Sequence, residues 1–433
     1  MVLPVRKTRK TDVKAEATEA RLAPLTLPEG GSWSQGARKS ALERLREMQL
    51  PGARDEYWRF TKPGPLLEPQ VSALPLEEQD PVFDGVEAAR IVFTDGRFDA
   101  EASDTDALEG VEIERLATAA GADIHWVRDL YGVLEAKDQA RVERPFAALN
   151  TAFAADGVVI RVTGRAPRPV HLVYRREAEA ADVMLHHIVK VEEGAEMTLL
   201  ETGTGAARIN TVLEVDVAKG ATFHHVRSQG REHDRLVNTH VYARVAEEGV
   251  FKTFTCALNG RLTRNEVMVD MAGDDAVAHI ASACLGDGKG FHDDDTVFVT
   301  HGAERGESRQ VIKKVLRNAA TGVFQGKILV QPGAQKTDGY QISQSLLLDE
   351  DAQFLAKPEL EIYADDVQCS HGSTSGAIDE EGLFYLRSRG VPHDRAVELL
   401  VLAFVAEALD EIDDSDLASR LRDRLDGWLS RRR

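Results

Sequence analysis

Between Gly157 and about residue 370 the chain carries strand-like sequence with almost no helical periodicity, and this constrains its fold more than any other feature. The runs Val158–Val162 (VVIRV) and Val170–Tyr174 (VHLVY) are short, apolar or alternating, and rich in β-branched side chains, as strands are. Turn signals recur through the segment at Gly194–Ala195, Gly220–Ala221 and Gly249–Val250, with looser versions at Gly273 and Gly302. These glycines are 26, 29, 24 and 29 residues apart. A unit of that length holds two or three short strands. It cannot bury its apolar face alone, so neighbouring units must stack into one continuous core. A β-helix or similar solenoid is the expected architecture. Two conventional antiparallel sandwiches, with turns every ~8–12 residues, stay open as the rival.

A solenoid has open ends, and an exposed strand edge invites pairing with another chain. The flanks therefore matter. Residues 1–30 have few large apolar groups and start with a basic stretch, and they are expected to form a solvated, disordered tail. A helix is predicted from Ser32 to Leu50, stopped by Pro51-Gly52, and helical sequence returns over 124–153. The aromatic cluster Tyr57, Trp58 and Phe60 reads as a local mini-core. After Pro392 an amphipathic helix presents Leu399, Leu400 and Phe404, and a last one (Ser415 to Leu429) carries Leu417, Leu421, Leu425 and Leu429 at i+4 spacing. The expected organisation is a tail (1–30), an N-terminal helical domain (31–156), a β-helix core (157–377) and a C-terminal helical domain (378–433).

Several function classes are disfavoured. Lys and Arg number 53 against 72 Asp and Glu, a net charge of −19, and aromatics are only 6%, so nucleic acid is not an expected partner. No apolar run approaches the ~20 residues that span a bilayer, and no apolar stretch near the start suggests a signal peptide. Three widely spaced cysteines (256, 284, 369) do not make a disulfide framework, so a cytoplasmic setting with reduced thiols is expected. Phosphate-loop, dinucleotide, nucleophile-elbow and HExxH motifs are missing.

The remaining candidates are few. His292-Asp293-Asp294-Asp295 has the ligands for a divalent cation, but its crowding on consecutive positions favours a solvated turn. In the doublets His186-His187 and His224-His225, strand geometry puts one ring of each pair in the core and the other outside. Cys256 and Cys284 read as buried small apolar residues. Cys369 and His371, two apart on one strand, share a face. They make either a nucleophile–base pair or two soft metal ligands.

At this stretch the sequence is recognisable. Lys357–Ile362 (KPELEI), Ala364–Gly372 (ADDVQCSHG) and Leu383–Gly390 (LFYLRSRG) resemble the SufB/SufD family of iron–sulfur cluster assembly. Val323–Ile328, Ala334–Asp338 and Ser345–Leu348 match it upstream in the same order, and Glu56–Thr61 (EYWRFT) is similar to its N-terminal region. The chain is more similar to the SufD type than to the SufB type. SufB-type chains carry Glu-His-Glu where Ser370-His371-Gly372 stands here, and a cysteine where Ser343 stands.

The resemblance implies a right-handed parallel β-helix between helical domains. It also implies a non-enzymatic scaffold subunit of a SufB–SufC–SufD complex in which SufC, an ABC-type ATPase, supplies nucleotide hydrolysis. No cluster is expected to be held stably by this chain alone. His371, with Cys369 beside it, is the expected ligand of a nascent iron–sulfur cluster at the SufB interface. The C-terminal face of Leu399, Leu400, Phe404, Leu417 and Leu421 is the expected dock for SufC, and a homodimer is the expected alternative state in isolation. The rival function is a β-helix carbohydrate-active enzyme, which needs aromatic sugar platforms in a chain poor in Trp and Tyr.

Overall fold

The computed structural model describes residues 9–77, 82–104, 106–203, 205–230 and 233–431. Its centre is a parallel solenoid in which successive strands alternate between two facing sheets. One sheet stacks β4 (Val158–Val162), β6 (Asp182–Val191), β8 (Arg208–Val217), β10 (Leu236–Val245), β12 (Leu262–Met271), β14 (His292–His301), β16 (Thr321–Val330) and β18 (Gln353–Ile362). The other stacks β5 (Val170–Arg175), β7 (Glu196–Gly203), β9 (Thr222–Gln229), β11 (Val250–Leu258), β13 (Val277–Asp287), β15 (Glu307–Arg317), β17 (Asp338–Leu347) and β19 (Gln368–Gly376). Parallel pairing throughout these stacks rules out the antiparallel sandwiches. Each coil holds two strands. Val250 pairs with Thr222 on one side and Val277 on the other, steps of 28 and 27 residues. Glu307, Asp338 and Gln368 follow at steps of 31 and 30.

The coil turns stack as a backbone ladder. Two residues before each of β7, β9, β11, β13, β15 and β17 the chain enters the left-handed region, at Gly194 (φ 67°), Gly220 (61°), Glu248 (56°), Asp275 (57°), Arg305 (58°) and Lys336 (59°). The N–H of this residue donates to a carbonyl of the next turn: Gly220 to Glu247 at 2.9 Å, Glu248 to Asp274 at 2.8 Å, Asp275 to Glu304 at 3.0 Å. Only the first two rungs use glycine. Gly249, Gly273 and Gly302 lie elsewhere in their turns, so the glycine spacing locates the turns without marking equivalent positions.

Inside, β-branched and aromatic side chains such as Val189, Val215, Phe223, Phe251, Val269 and Phe324 form the core. The outer faces are roofed by helices. The N-terminal set is α1 (Arg9–Leu22), α2 (Ser32–Met48), α3 (Gly64–Leu67), α4 (Leu116–Gly121), α5 (Val133–Gln139) and α6 (Pro145–Phe153). It packs on the even-numbered sheet, with Trp58 and Phe146 meeting Leu236 and Leu262, and Leu134 meeting Tyr242 and Met268. A buried ionic weld joins the layers. Glu266 accepts from Arg144 at 2.9 Å and Arg264 at 2.8 Å. Burial pushes the Glu266 carboxyl up, but Arg264, His240 and Arg144 more than offset it and bring it down to about 2. The C-terminal set is α7 (Glu380–Ser388), α8 (His393–Leu409) and α9 (Ser415–Arg431). Its α8 and α9 cover the odd-numbered sheet through Val401, Val405, Leu417, Leu421 and Leu425.

Two expectations about the flanks need correction. Residues 1–8 of the expected tail lie outside the described residues, but 9–22 form α1, which is tied down by Arg21 to Asp182 at 3.0 Å and by buried Leu22. The segment is rich in Lys, Ala, Glu and Arg, which are good helix formers, so its low hydrophobicity did not mean disorder. The region 31–156 is also not purely helical. It contributes β1 (Ala89–Thr94), β2 (Arg97–Asp99) and β3 (Val111–Arg115). β1 extends the odd-numbered sheet, and β2 and β3 close the first coil by antiparallel pairing.

Candidate functional site

The two ends of the solenoid differ. The first coil is capped by β2 and β3, while the last coil ends in two edge strands, β18 and β19, that pair on one side only. β18 is guarded in the usual way, by Lys357 and by Pro358, which has no N–H to donate. β19 (QCSHGSTSG) has neither charge nor proline, and most of it is exposed. Its Cys369, His371, Ser373 and Ser375 sit beside Gly339, Gln341, Ser343 and Ser345 of β17. These β17 residues face the solenoid interior, so the odd-numbered residues of β19 form the open end of that interior.

Cys369 is half-buried and packs with the cluster of Ile328, Val330 and Ala334. Burial pushes its thiol up, a hydrogen bond from the Gly339 backbone partly offsets this, and Asp338 adds to the rise. Gly339 is what admits the sulfur: a Cβ there would lie 3.2 Å from Cys369 Sγ. His371 is exposed at the rim. Further along, Ser343 donates to Ser373 at 3.0 Å and Ser345 to Ser375 at 3.0 Å. Ser343 is fully buried. The arrangement offers one thiol and one imidazole on one face, two of the donors a tetrahedral iron site uses. Among the described residues no three His, Cys, Asp or Glu groups converge as a metal site.

Of the other sequence candidates, the aspartate run and the doublet His186-His187 are placed differently from expectation. Residues 292–295 belong to strand β14, and Asp293, Asp294 and Asp295 are buried. Asp293 and Asp295 face inward and hold the ammonium of Lys314, Asp295 at 2.8 Å, while Asp294 faces outward and holds Arg264 at 2.5 Å. Each carboxylate found a cation from a distant strand, which local spacing does not reveal. His186 and His187 are both buried, because the outward ring of His186 lies under the N-terminal helices against Tyr131 and bonds Glu214 at 2.9 Å. His225 is buried, and His224 is partly covered beside Asp413 at 2.8 Å. Cys256 and Cys284 are buried as expected.

The expected partner face is largely spent inside the molecule. Leu417 and Leu421 are buried in the chain's own core, and Leu399, Leu400 and Phe404 are half-buried, with Phe404 under Lys313. The roof of the odd-numbered sheet needs those leucines. Exposed aromatics at this end include Phe384 (75%) and Tyr385 (55%) on α7 and Tyr363 (62%) just after β18. The sequence reading also passed over Gln341, whose phase with Ser343 and Ser345 marks a polar inner row. Sugar platforms find no support, since Trp33, Trp58, Trp126 and Trp428 all lie in the flanks, packed against other rings or apolar side chains.

The chain is thus a helix-roofed parallel solenoid with one capped end and one end left as strand edges, where Cys369 and His371 share a face of β19. Two family models match it: "SUF system FeS cluster assembly, SufBD core domain" over residues 174–404 and "SufBD protein N-terminal region" over 32–168. The chain belongs to the SufBD family of iron–sulfur cluster assembly proteins. It is 28% identical to the iron–sulfur cluster assembly protein SufD of Escherichia coli K12, over 89% of this chain and 90% of that one. It is also 28% identical to a SufBD family protein of Synechocystis (89% of each chain) and 25% identical to SufD of Bacillus subtilis (88% and 90%). No helix among the described residues is long and apolar enough to cross a membrane.

Proposed function

We propose that this chain is the SufD-type scaffold subunit of a cytoplasmic SufB–SufC–SufD complex, with no catalytic reaction of its own and a nascent iron–sulfur cluster as cargo. The observation that carries this reading is the unguarded edge of β19 with Cys369 and His371 on its inner face. A SufB-type solenoid that pairs its own last strand with β19 continues the odd-numbered sheet and satisfies the free backbone groups of that edge. The cargo then lies between the chains. His371 supplies neutral imidazole, SufB supplies thiolates, and the two donor types share iron as they do in Rieske centres. Cys369 is the second participant, held back by its raised thiol pKa until a metal displaces the proton. Ser343, where SufB-type chains carry cysteine, is locked to Ser373 and offers no thiolate. The SufC-type ATPase docks on α7 through Phe384 and Tyr385, beside the half-buried Leu399, Leu400 and Phe404 of α8.

His371→Ala tests the ligand role. The variant complex is expected to assemble with normal stoichiometry and to lose cluster maturation at least ~10-fold, as loss of a metal ligand predicts. Unimpaired cluster formation by an intact variant complex overturns it.

A further inference from the structure

Gln341 lies on β17 directly beside His371, one coil further in, and Gln310 on β15 lies one coil beyond that. All three side chains share the inner face. Gln310 and Gln341 are fully buried, and the Gln341 Nε2 donates to Gln310 Oε1 at 2.8 Å. The amide is seated by a gap in the opposite sheet: a Cβ on Gly326 would come within 2.3 Å of Gln341 Nε2. Stacked glutamine amides hydrogen-bond along a stack; here one bond joins the two side chains, and the Gln310 Nε2 at the inner end has no partner among the described residues. Because Gln341 gives its N–H inward, its carbonyl is the outward end of the stack. That Oε1 is buried and has no hydrogen-bond partner among the described residues, a costly state for an amide oxygen. The next rung outward is His371.

We propose that Gln341 is the positioning residue of His371: its Oε1 accepts the N–H of one imidazole nitrogen and so presents the other, unprotonated, at the open end. Metal-binding histidines are commonly oriented in this way by an acceptor behind the ring, which fixes tautomer and ring angle. The chain of support runs Gln310, Gln341, His371, and Gly326 is the space that allows it. The inference deepens the ligand reading of His371 and rests on it for its functional meaning, but the contact itself is testable without any metal.

The test is nitrogen NMR of the full chain, labelled with 15N-histidine and held at a pH where imidazoles are neutral, with the His371 signals identified by their loss in His371→Ala. In the unsubstituted chain, one His371 tautomer is expected to exceed its share in a solvated histidine peptide by at least ~3-fold, the ratio that about 0.7 kcal/mol represents. Gln341→Met, similar in length but without the acceptor, is expected to return the ratio to the peptide value. Gln341→Asn, polar but too short to reach, is expected to do the same and serves if the methionine variant folds poorly. His371 shifts that are identical in the unsubstituted chain and in whichever variant folds overturn the proposal. Normal cluster formation by His371→Ala complexes would instead remove the ligand reading and leave a tautomer difference standing, so the two failures are distinguishable.

Discussion

At the scale of single residues, the least expected feature is a lysine inside the solenoid. Lys314 is fully buried between Asp293 and Asp295, with Cys284 and Leu316 nearby. Burial works against its charge, and the two carboxylates more than reverse that, holding the amine well above the usual lysine range. Burial pushes Asp293 up, to about 6, against the pull of Lys314. Such a triad is weak evidence of net stabilisation, but breaking it is expensive because the remaining charges have no water to turn to. Lys314→Met is expected to lose about 3–5 kcal/mol at pH 7, measured by urea unfolding. The loss should shrink as pH falls and the two abandoned carboxylates protonate. A variant as stable as the unsubstituted chain, or equally destabilised at pH 7 and pH 5, contradicts this account.

At the scale of elements, the C-terminal helices are fixed to the solenoid by a row of basic side chains in register. His224, Lys252, His279 and Arg309 follow one another across four strands of the odd-numbered sheet. They meet acidic groups in the loop between α8 and α9: Lys252 with Asp413 at 2.7 Å, His279 with Glu411 at 3.0 Å, and Arg309 with Glu411 at 3.2 Å. Beside this row the leucines of α9 seal the apolar part of the sheet. That division separates structural from partner-facing residues. Replacing both Phe384 and Tyr385 by Ala is expected to weaken binding of the ATPase subunit at least ~10-fold while leaving Tm within about 1 °C, as surface substitutions do. Leu421→Ala is expected to cost about 2–5 kcal/mol of stability instead, because it opens a cavity. Unchanged ATPase binding by the aromatic double variant would show that α7 is not the dock.

At the scale of the whole molecule, stability depends on buried neutral histidines. Burial lowers His171, His187, His240 and His301 to about 4 in each case; Arg90 lowers His171 further, while Glu201 and Glu266 only partly counter the effect at His187 and His240. Their contacts fit the neutral ring: the Val158 N–H donates to His187 Nδ1 at 3.1 Å, and His301 pairs with the Ser308 hydroxyl at 2.8 Å. Unfolding returns each to its ordinary value near 6.5, so the unfolded chain binds more protons between the two values. Their contribution is therefore complete above about pH 6.5 and is lost as pH falls toward 4, at about 2 kcal/mol per ring by pH 5. The urea midpoint should fall steeply from pH 7 to pH 5. His240→Gln should reduce that slope by about one proton per molecule. A midpoint that is flat across this range contradicts the prediction.

Much of the solenoid was legible in the chain because stacking repeats a local requirement: each coil needs a strand, a turn and another strand, and that leaves a period in the sequence. The thiol–imidazole pair was legible for the same reason, since Cys369 and His371 are two apart on one strand and strand geometry alone puts them on one face. What surrounds a coil has no such local record. Whether Asp293 is a solvated turn residue or a buried ion depends on Lys314, a strand away in space and 21 residues away in sequence. Whether Leu417 and Leu421 greet a partner or seal a sheet depends on how α9 folds back over it. The acceptor behind His371 comes from Gln341, and its direction from Gln310 one coil deeper. Period and face follow from the geometry of one strand; burial, charge pairing and the polarity of the inner ladder exist only once distant coils lie against each other.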